Sequence, residues 1–164
     1  MTIRIREAGP EEHDEAGEVT ALSYREFARP DPSWDEYLAL IADVSERAER
    51  TTILVAVEEE GILGSLTLEL SGRVEEYDRR DLDPDEAHIR MLGVHPDARR
   101  RGIAKMLMEA AIDEARRAGK ARVTLHTTER MTAAQAMYTS LGFERTTDHT
   151  FPDGFVLLGF EKAI

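Results

Sequence analysis

No cysteine occurs among the 164 residues. Its absence excludes a disulfide framework, a thiolate metal site and a cysteine nucleophile, and it leaves the redox compartment open. Long hydrophobic runs are missing too. The apolar stretch ILVAV is far too short to span a bilayer, so no membrane association is expected. The N-terminal MTIRIREAGPEEHDE is charged and has no apolar centre, which speaks against a signal peptide and for a cytoplasmic location. Basic residues are scarce: 21 Lys and Arg stand against 33 Asp and Glu, a net charge of -12. A chain so acidic is a poor general binder of nucleic acid. The five histidines show no HxxxH or HExxH spacing, so no metal is expected.

With 41% hydrophobic residues and no repeat or low-complexity linker, residues 1–164 read as a single domain with a real core. TIRIRE alternates like a short strand. PEEHDEAGEVTALSYREF and SWDEYLALIADVSERAE each read as one helix, and TTILVAVEEEGILGSLTLEL as a hairpin turning at Glu60-Gly61. SGRVEEYDRRDLDPDEA reads as a polar loop and HIRMLGV as a strand. GIAKMLMEAAIDEARRAG reads as a helix closed by Gly119, with Lys105, Glu109, Asp113 and Arg117 on its wet face. ARVTLHT reads as a buried strand. Thr132 opens a further helix, with Gln135 at capping-box spacing, and FERTTD with FVLLGFE form a final hairpin around Pro152-Asp153-Gly154. The order is α/β, with a βαβ crossover at its centre.

The charge is uneven. Residues 1–93 hold 10 Lys and Arg against 24 Asp and Glu, whereas residues 94–122 hold 8 against 4. The basic block contains VHPDARRRGIAKMLMEAA, where Arg99, Arg100 and Arg101 precede a helix start. A helix N-terminus offers unpaired N–H groups and about half a positive charge. A diphosphate there receives charge-assisted hydrogen bonds. Gly102 lets the backbone approach it, Ala104 is small, and the arginines add forked cations. On these residues alone, ARRRG is equally a solvated turn with a good helix start.

HIRMLGVHPDARRRGIAKML, followed further on by MTAAQAMYTSLGFE, resembles the GNAT family of acetyl-CoA-dependent N-acetyltransferases. The resemblance follows nearly the whole chain in element order and is most specific over residues 87–145. It implies a single mixed, mostly antiparallel twisted sheet flanked by about four helices around the βαβ crossover. It implies acetyl-CoA as acetyl donor and no metal. Arg99, Gly102 and Ala104 match the family's phosphate-loop pattern. By resemblance Arg99, Arg100, Arg101, Gly102, Ile103, Ala104 and Lys105 hold the coenzyme A phosphates. Leu92, Gly93 and Val94 pair with its pantetheine arm, which Met131, Ala134 and Met137 line. Two positions depart from the pattern: the family often has glycine where Arg100 stands and asparagine where Met131 stands.

Forming an amide from a thioester needs a deprotonated amine and a protonated leaving thiolate. Without cysteine, direct attack by the amine on bound acetyl-CoA is the simpler scheme. Tyr138 is the candidate general acid, since by resemblance its helix face looks toward the cofactor sulfur; a core tyrosine is the alternative. His88 is the candidate base, on a strand face expected to hold His88, Arg90 and Leu92 together; an ordinary strand histidine is the alternative. Glu86 and His126 stand in reserve. The family's usual oxyanion donors are backbone N–H groups around Leu92 and Gly93, and Gly93 allows a bulge there. Trp34, the lone tryptophan, reads as packing or as part of the acceptor pocket. The acceptor expected is a primary amine of a small molecule, peptide or protein, cationic because the N-terminal helices and VEEYDRRDLDPDEAH are acidic. A non-catalytic acyl-CoA-binding regulatory or interaction domain is the rival reading, and a homodimer is compatible with the resemblance.

Overall fold

The computed structural model describes residues 2–29, 31–59, 61–72 and 80–164. In chain order its elements are β1 (Arg4–Glu7), α1 (His13–Tyr24), α2 (Pro32–Ala42), α3 (Val44–Ala48), β2 (Thr52–Glu58), β3 (Gly61–Glu69) and β4 (Glu86–Val94). Then follow α4 (Ile103–Arg117), β5 (Arg122–Thr128), α5 (Thr132–Ser140), β6 (Glu144–Arg145), β7 (His149–Thr150) and β8 (Val156–Ala163). The chain divides into two compact units, residues 1–69 with 91–111 and residues 70–90 with 112–164. Both β4 and α4 give residues to each unit.

In the first unit β1 pairs antiparallel with β2, and β2 with β3. Ile53, Val55 and Val57 of β2 and Ile62 of β3 pack with Ala16 and Val19 of α1 and Val44 of α3. Small residues let α1 approach closely: a Cβ at Gly17 would lie 2.0 Å from the carbonyl oxygen of Ala42. Ahead of α1, Arg6 donates to both carboxylate oxygens of Glu12 at 2.7 and 2.8 Å, and Glu12 also accepts from Gly9 N–H. The single helix expected over SWDEYLALIADVSERAE is two. Asp43 leaves the helical region (φ -83°, ψ 68°), and its carboxylate accepts from Glu46 N–H at 3.3 Å to start α3. Buried Arg47 holds this break, donating to Leu40 O, Asp43 O and Thr67 Oγ1. An aspartate that caps outweighs the apolar periodicity running through it. Of the expected turn and loop residues, Glu60 and 73–79 lie outside the described residues.

In the second unit β4 runs parallel to β5, with His88 opposite Thr124. β8 is antiparallel to β5, and both β6 and β7 pair with β8. The fold is a mixed, mostly antiparallel sheet flanked by helices, with β4–α4–β5 as the crossover. Lys105, Glu109, Asp113 and Arg117 are exposed on α4, and Gly119 ends it in the left-handed region (φ 79°). β5 alternates between buried and half-buried residues instead of being buried throughout. Met131, not Thr132, occupies the N-cap of α5, and no capping box forms. Gln135 Nε2 instead donates to Thr128 O and Glu129 O, tying down the turn before the helix.

The irregular residue of β4 is Met91 (φ 56°), not Gly93. A left-handed residue there interrupts the two-residue alternation on which the expected face of His88, Arg90 and Leu92 rests. Gly93 has another reason to be glycine. A Cβ there would sit 2.1 Å from Ser23 Oγ and 3.3 Å from Thr20 Cα, against α1. Gly93→Ala is expected to destabilise the protein by about 1–3 kcal/mol through overpacking. Adding Ser23→Ala removes the worst contact and should restore most of that loss, read as the shift of the urea unfolding midpoint.

Candidate functional site

The basic loop lies wholly in the first unit. His95 N–H donates to Leu63 O at 2.7 Å, and the His95 ring accepts from Asp97 N–H at 3.1 Å, fixing the turn over Pro96–Ala98. The backbone then passes through two left-handed residues, Arg100 (φ 64°) and Gly102 (φ 77°). An L-residue pays roughly 1–2 kcal/mol for that conformation, which explains why a glycine suits position 100. A Cβ on Gly102 would meet nothing within 4 Å, so the approach to the helix start is open. The helical bonding of α4 begins with Met106 N–H to Gly102 O. The N–H groups of Ile103, Ala104 and Lys105 precede it and form the usual donor set of a helix start. Ile103 is buried, Ala104 half-buried, and Lys105 is exposed at the helix surface.

The three arginines divide their work. Arg99 pairs with Glu26 and donates to Ser23 O at 3.3 Å, fastening the loop to α1 and the turn after it. Arg101 donates to both carboxylate oxygens of Glu58, at 3.2 and 2.5 Å, fastening it to the end of β2. That hydrogen bonding holds the Glu58 carboxyl below its ordinary range. Among the described residues Arg100 has no ion pair, and its side chain is exposed. Glu26 and Glu58 have no sequence signal, because each is far from the loop along the chain. Leu92 and Val94 are half-buried at the end of β4, and Gly93 is buried.

His88 and Glu86 lie in the second unit, side by side with β5. Arg80 holds Glu86 with a bidentate pair at 2.7 and 2.5 Å, Asp83 N–H donates to it at 3.3 Å, and Thr124 Oγ1 at 2.5 Å. Burial pushes the Glu86 carboxyl up, but these donors outweigh it and bring the pKa down to about 2. A carboxylate held so low is an anchor and a poor proton acceptor. His88 Nδ1 lies 2.8 Å from Thr124 Oγ1, and the His88 side chain is fully buried. The ring of half-buried His126 is centred 5.7 Å from that of His88. Thr124 carries no local sequence signal; its place follows from β4–β5 register, which no local pattern specifies.

Tyr138 is 6% exposed on α5, with its ring 6.0 Å from Phe143 and 5.6 Å from Phe160. Burial raises its phenol well above the ordinary value, so the hydroxyl stays protonated at neutral pH. On the same helix Ala134 and Met137 are half-buried, as is Met131 at its N-cap, whose sulfur accepts from Thr127 Oγ1 at 3.5 Å. Trp34 is half-buried on α2 and meets Tyr37 edge-on at 5.5 Å. Among the described residues no group of three or more His, Cys, Asp or Glu could hold a metal ion. Nor is any described helix long and apolar enough to cross a membrane.

A family model for the GNAT acetyltransferases matches residues 16–143, and the chain belongs to that family. The [ribosomal protein bS18]-alanine N-acetyltransferase of Salmonella typhimurium is 41% identical over 63 residues, 38% of this chain and 43% of the relative. Its Escherichia coli counterpart is 40% identical over the same length and coverage. The matched stretch thus spans less than half the length of these relatives. The solved Escherichia coli ribosomal-protein-S18-alanine N-acetyltransferase superposes with a TM-score of 0.71 at 21% identity, covering 99% of this chain and 94% of that one. The PaiA N-acetyltransferase of Thermoplasma acidophilum, solved with coenzyme A, gives 0.74 at 16% identity over 100% of both chains. At these identities the likeness is one of fold.

Acid should loosen the second unit through Glu86. Its folded pKa of about 2 lies below the ordinary 4.5, so its stabilisation is complete above 4.5 and fades as pH falls toward 2. Glu86→Gln is expected to lower stability at neutral pH and to flatten that acid slope, measured by chemical denaturation from pH 2 to pH 7. An unchanged slope would show that other carboxylates carry it.

Proposed function

We propose that residues 1–164 form one N-acetyltransferase domain that moves the acetyl group of acetyl-CoA to a primary amine. The observation that carries this reading is the open helix start behind Gly102, where among the described residues the N–H groups of Ile103, Ala104 and Lys105 have no backbone acceptor and Arg100 has no ion pair. Backbone donors at Ile103, Ala104 and Lys105 suit a diphosphate, and Arg100 adds a forked cation. In this reading Arg99 and Arg101 shape the loop, while Leu92, Gly93 and Val94 of the same unit pair with the pantetheine arm. Bound acetyl-CoA supplies the activated acetyl group. Membership of the GNAT family supports the same cofactor.

Tyr138 is assigned as the general acid, since burial keeps its proton in place until a leaving group takes it. His88 is assigned as the base. Because His88 is enclosed, the amine proton reaches it through a carrier, and half-buried His126 on the next strand favours a second reading in which His126 meets the amine. The bidentate hold of Arg80 on Glu86 argues against Glu86 as the base. The names of the bS18-alanine relatives support an α-amino group of a peptide as acceptor. Acidic Asp35 and Glu36 on α2 fit a cationic acceptor. Release of free thiol from acetyl-CoA on addition of peptide or small amines tests the activity, and its absence with every amine favours a non-catalytic acyl-CoA-binding domain.

Gly102→Glu and Gly102→Ala share the backbone strain, and the protein offers no clash to either Cβ. Calorimetry should find coenzyme A affinity at least roughly tenfold weaker for the glutamate than for the alanine, because only the former sets a carboxylate against the phosphates. Equal affinities would remove the phosphates from this loop. Tyr138→Phe keeps the ring packing and deletes the proton. Turnover should fall by about a hundredfold or more with coenzyme A affinity retained. A near-normal rate would make the tyrosine a packing residue.

A further inference from the structure

We infer that Thr124 is a positioning residue that fixes the tautomer of His88, placing the proton on Nδ1 and making Nε2 the basic nitrogen. The catalytic consequence rests on His88 as the proposed base; the tautomer itself does not. Thr124 Oγ1 stands between two partners, 2.5 Å from Glu86 Oε2 and 2.8 Å from His88 Nδ1. A hydroxyl has one proton to give. Glu86 is ionised and can only accept, so that proton points to the carboxylate. A lone pair of Thr124 therefore faces the ring, and the contact is a hydrogen bond only if Nδ1 carries hydrogen. Turning the ring over would replace Nδ1 by a carbon and forfeit the bond.

The rest of the network reinforces this direction. Arg80 fills the Glu86 carboxylate from one side, and Arg122 pairs with Asp83 while lying 3.5 Å from Glu86 Oε1. These cations keep Glu86 an acceptor. The chain runs Arg80, Glu86, Thr124, His88, with the His126 ring beyond it. When a proton arrives at Nε2 from the carrier, the carrier's bond to that proton breaks and leaves its electron pair on the carrier, which takes up the amine proton as the amine N–H bond breaks. The Nε2–H bond forms, and Nδ1–H still donates to Thr124. No group in the chain has to turn, so the charge created on the imidazole meets dipoles already aimed at it. Threonine here takes the orienting part that a carboxylate plays when it contacts the ring directly, with Glu86 one bond further back.

Nitrogen-15 NMR of histidine-labelled protein distinguishes the two ring nitrogens directly. Neutral His88 is expected as the Nδ1–H form. In Thr124→Val, near-isosteric but without the hydroxyl, the population should move toward the Nε2–H form. Turnover should fall with KM for acetyl-CoA unchanged, and Thr124→Ser should restore the tautomer and the rate together. An Nε2–H form in the unmodified protein, a measurement that needs no variant to fold, overturns the inference. So does a Thr124→Val protein that keeps Nδ1–H. A tautomer that follows Thr124 while turnover ignores it leaves this assignment standing and rejects His88 as the base.

Discussion

Strand β4 has to serve two packing environments with one backbone, and the residue where it changes from one to the other is Met91. The left-handed conformation there costs about 1–2 kcal/mol for an L-residue. Met91 is 8% exposed against Ala21 and Ile41, and burying a side chain of that size returns about 1.5–3 kcal/mol. The strain is thus held in place by the core around it. Before the break, β4 keeps its parallel register with β5, and that register sets Thr124 beside Glu86 and His88. After it, the strand turns Gly93 against Ser23 of α1, an approach that no side chain would permit. A regular strand would have carried one alternation through both environments.

The arginine loop shows a different economy of charge. Its ion pairs are exposed, so each contributes at most about 1 kcal/mol to stability. Their value is directional. Arg99 and Arg101 reach in different directions, to Glu26 and Glu58, and hold a backbone that passes twice through the left-handed region. Pairing two of three cations also lowers the self-repulsion of the triplet. Arg100, without an ion pair among the described residues, and the backbone N–H groups of the helix start would on the proposed reading suit a compact polyanion such as a diphosphate better than a long acidic surface.

Much of this was legible in the sequence, for reasons specific to each element. α4 combines a sharp amphipathic stripe with a glycine start and a glycine stop, and β4–α4–β5 follows from it. The ARRRG stretch is local, so the loop and the helix start that follows it could be read directly. The break at Asp43 was hidden because apolar periodicity continues across it, and only the capping bond to Glu46 reveals the new helix. The displaced irregularity in β4 was hidden because glycine is the residue that composition nominates for a bulge, whereas Gly93 is reserved for close packing. Thr124, Glu26 and Glu58 were invisible for a common reason. Each acts on a residue more than thirty positions away, and nothing local encodes that pairing.

The titration chemistry of the second unit narrows its acid–base groups by itself. Glu86 is driven down to about 2 by its donors, so at neutral pH it would have to be protonated against a large free-energy difference, about 1.4 kcal/mol for each unit between the two. Tyr138 is driven the other way by burial and holds its proton. One side chain is therefore fixed as an anion and the other as a neutral donor. On the proposed mechanism the base that takes and returns a proton near pH 7 is neither of them. The same unit sets two imidazoles, His88 and His126, on adjacent strands with their rings 5.7 Å apart, and the proposed mechanism gives the base's role to this pair. The fixed anion then acquires its function from the arrangement: through Thr124 it settles which nitrogen of the enclosed imidazole is able to receive a proton.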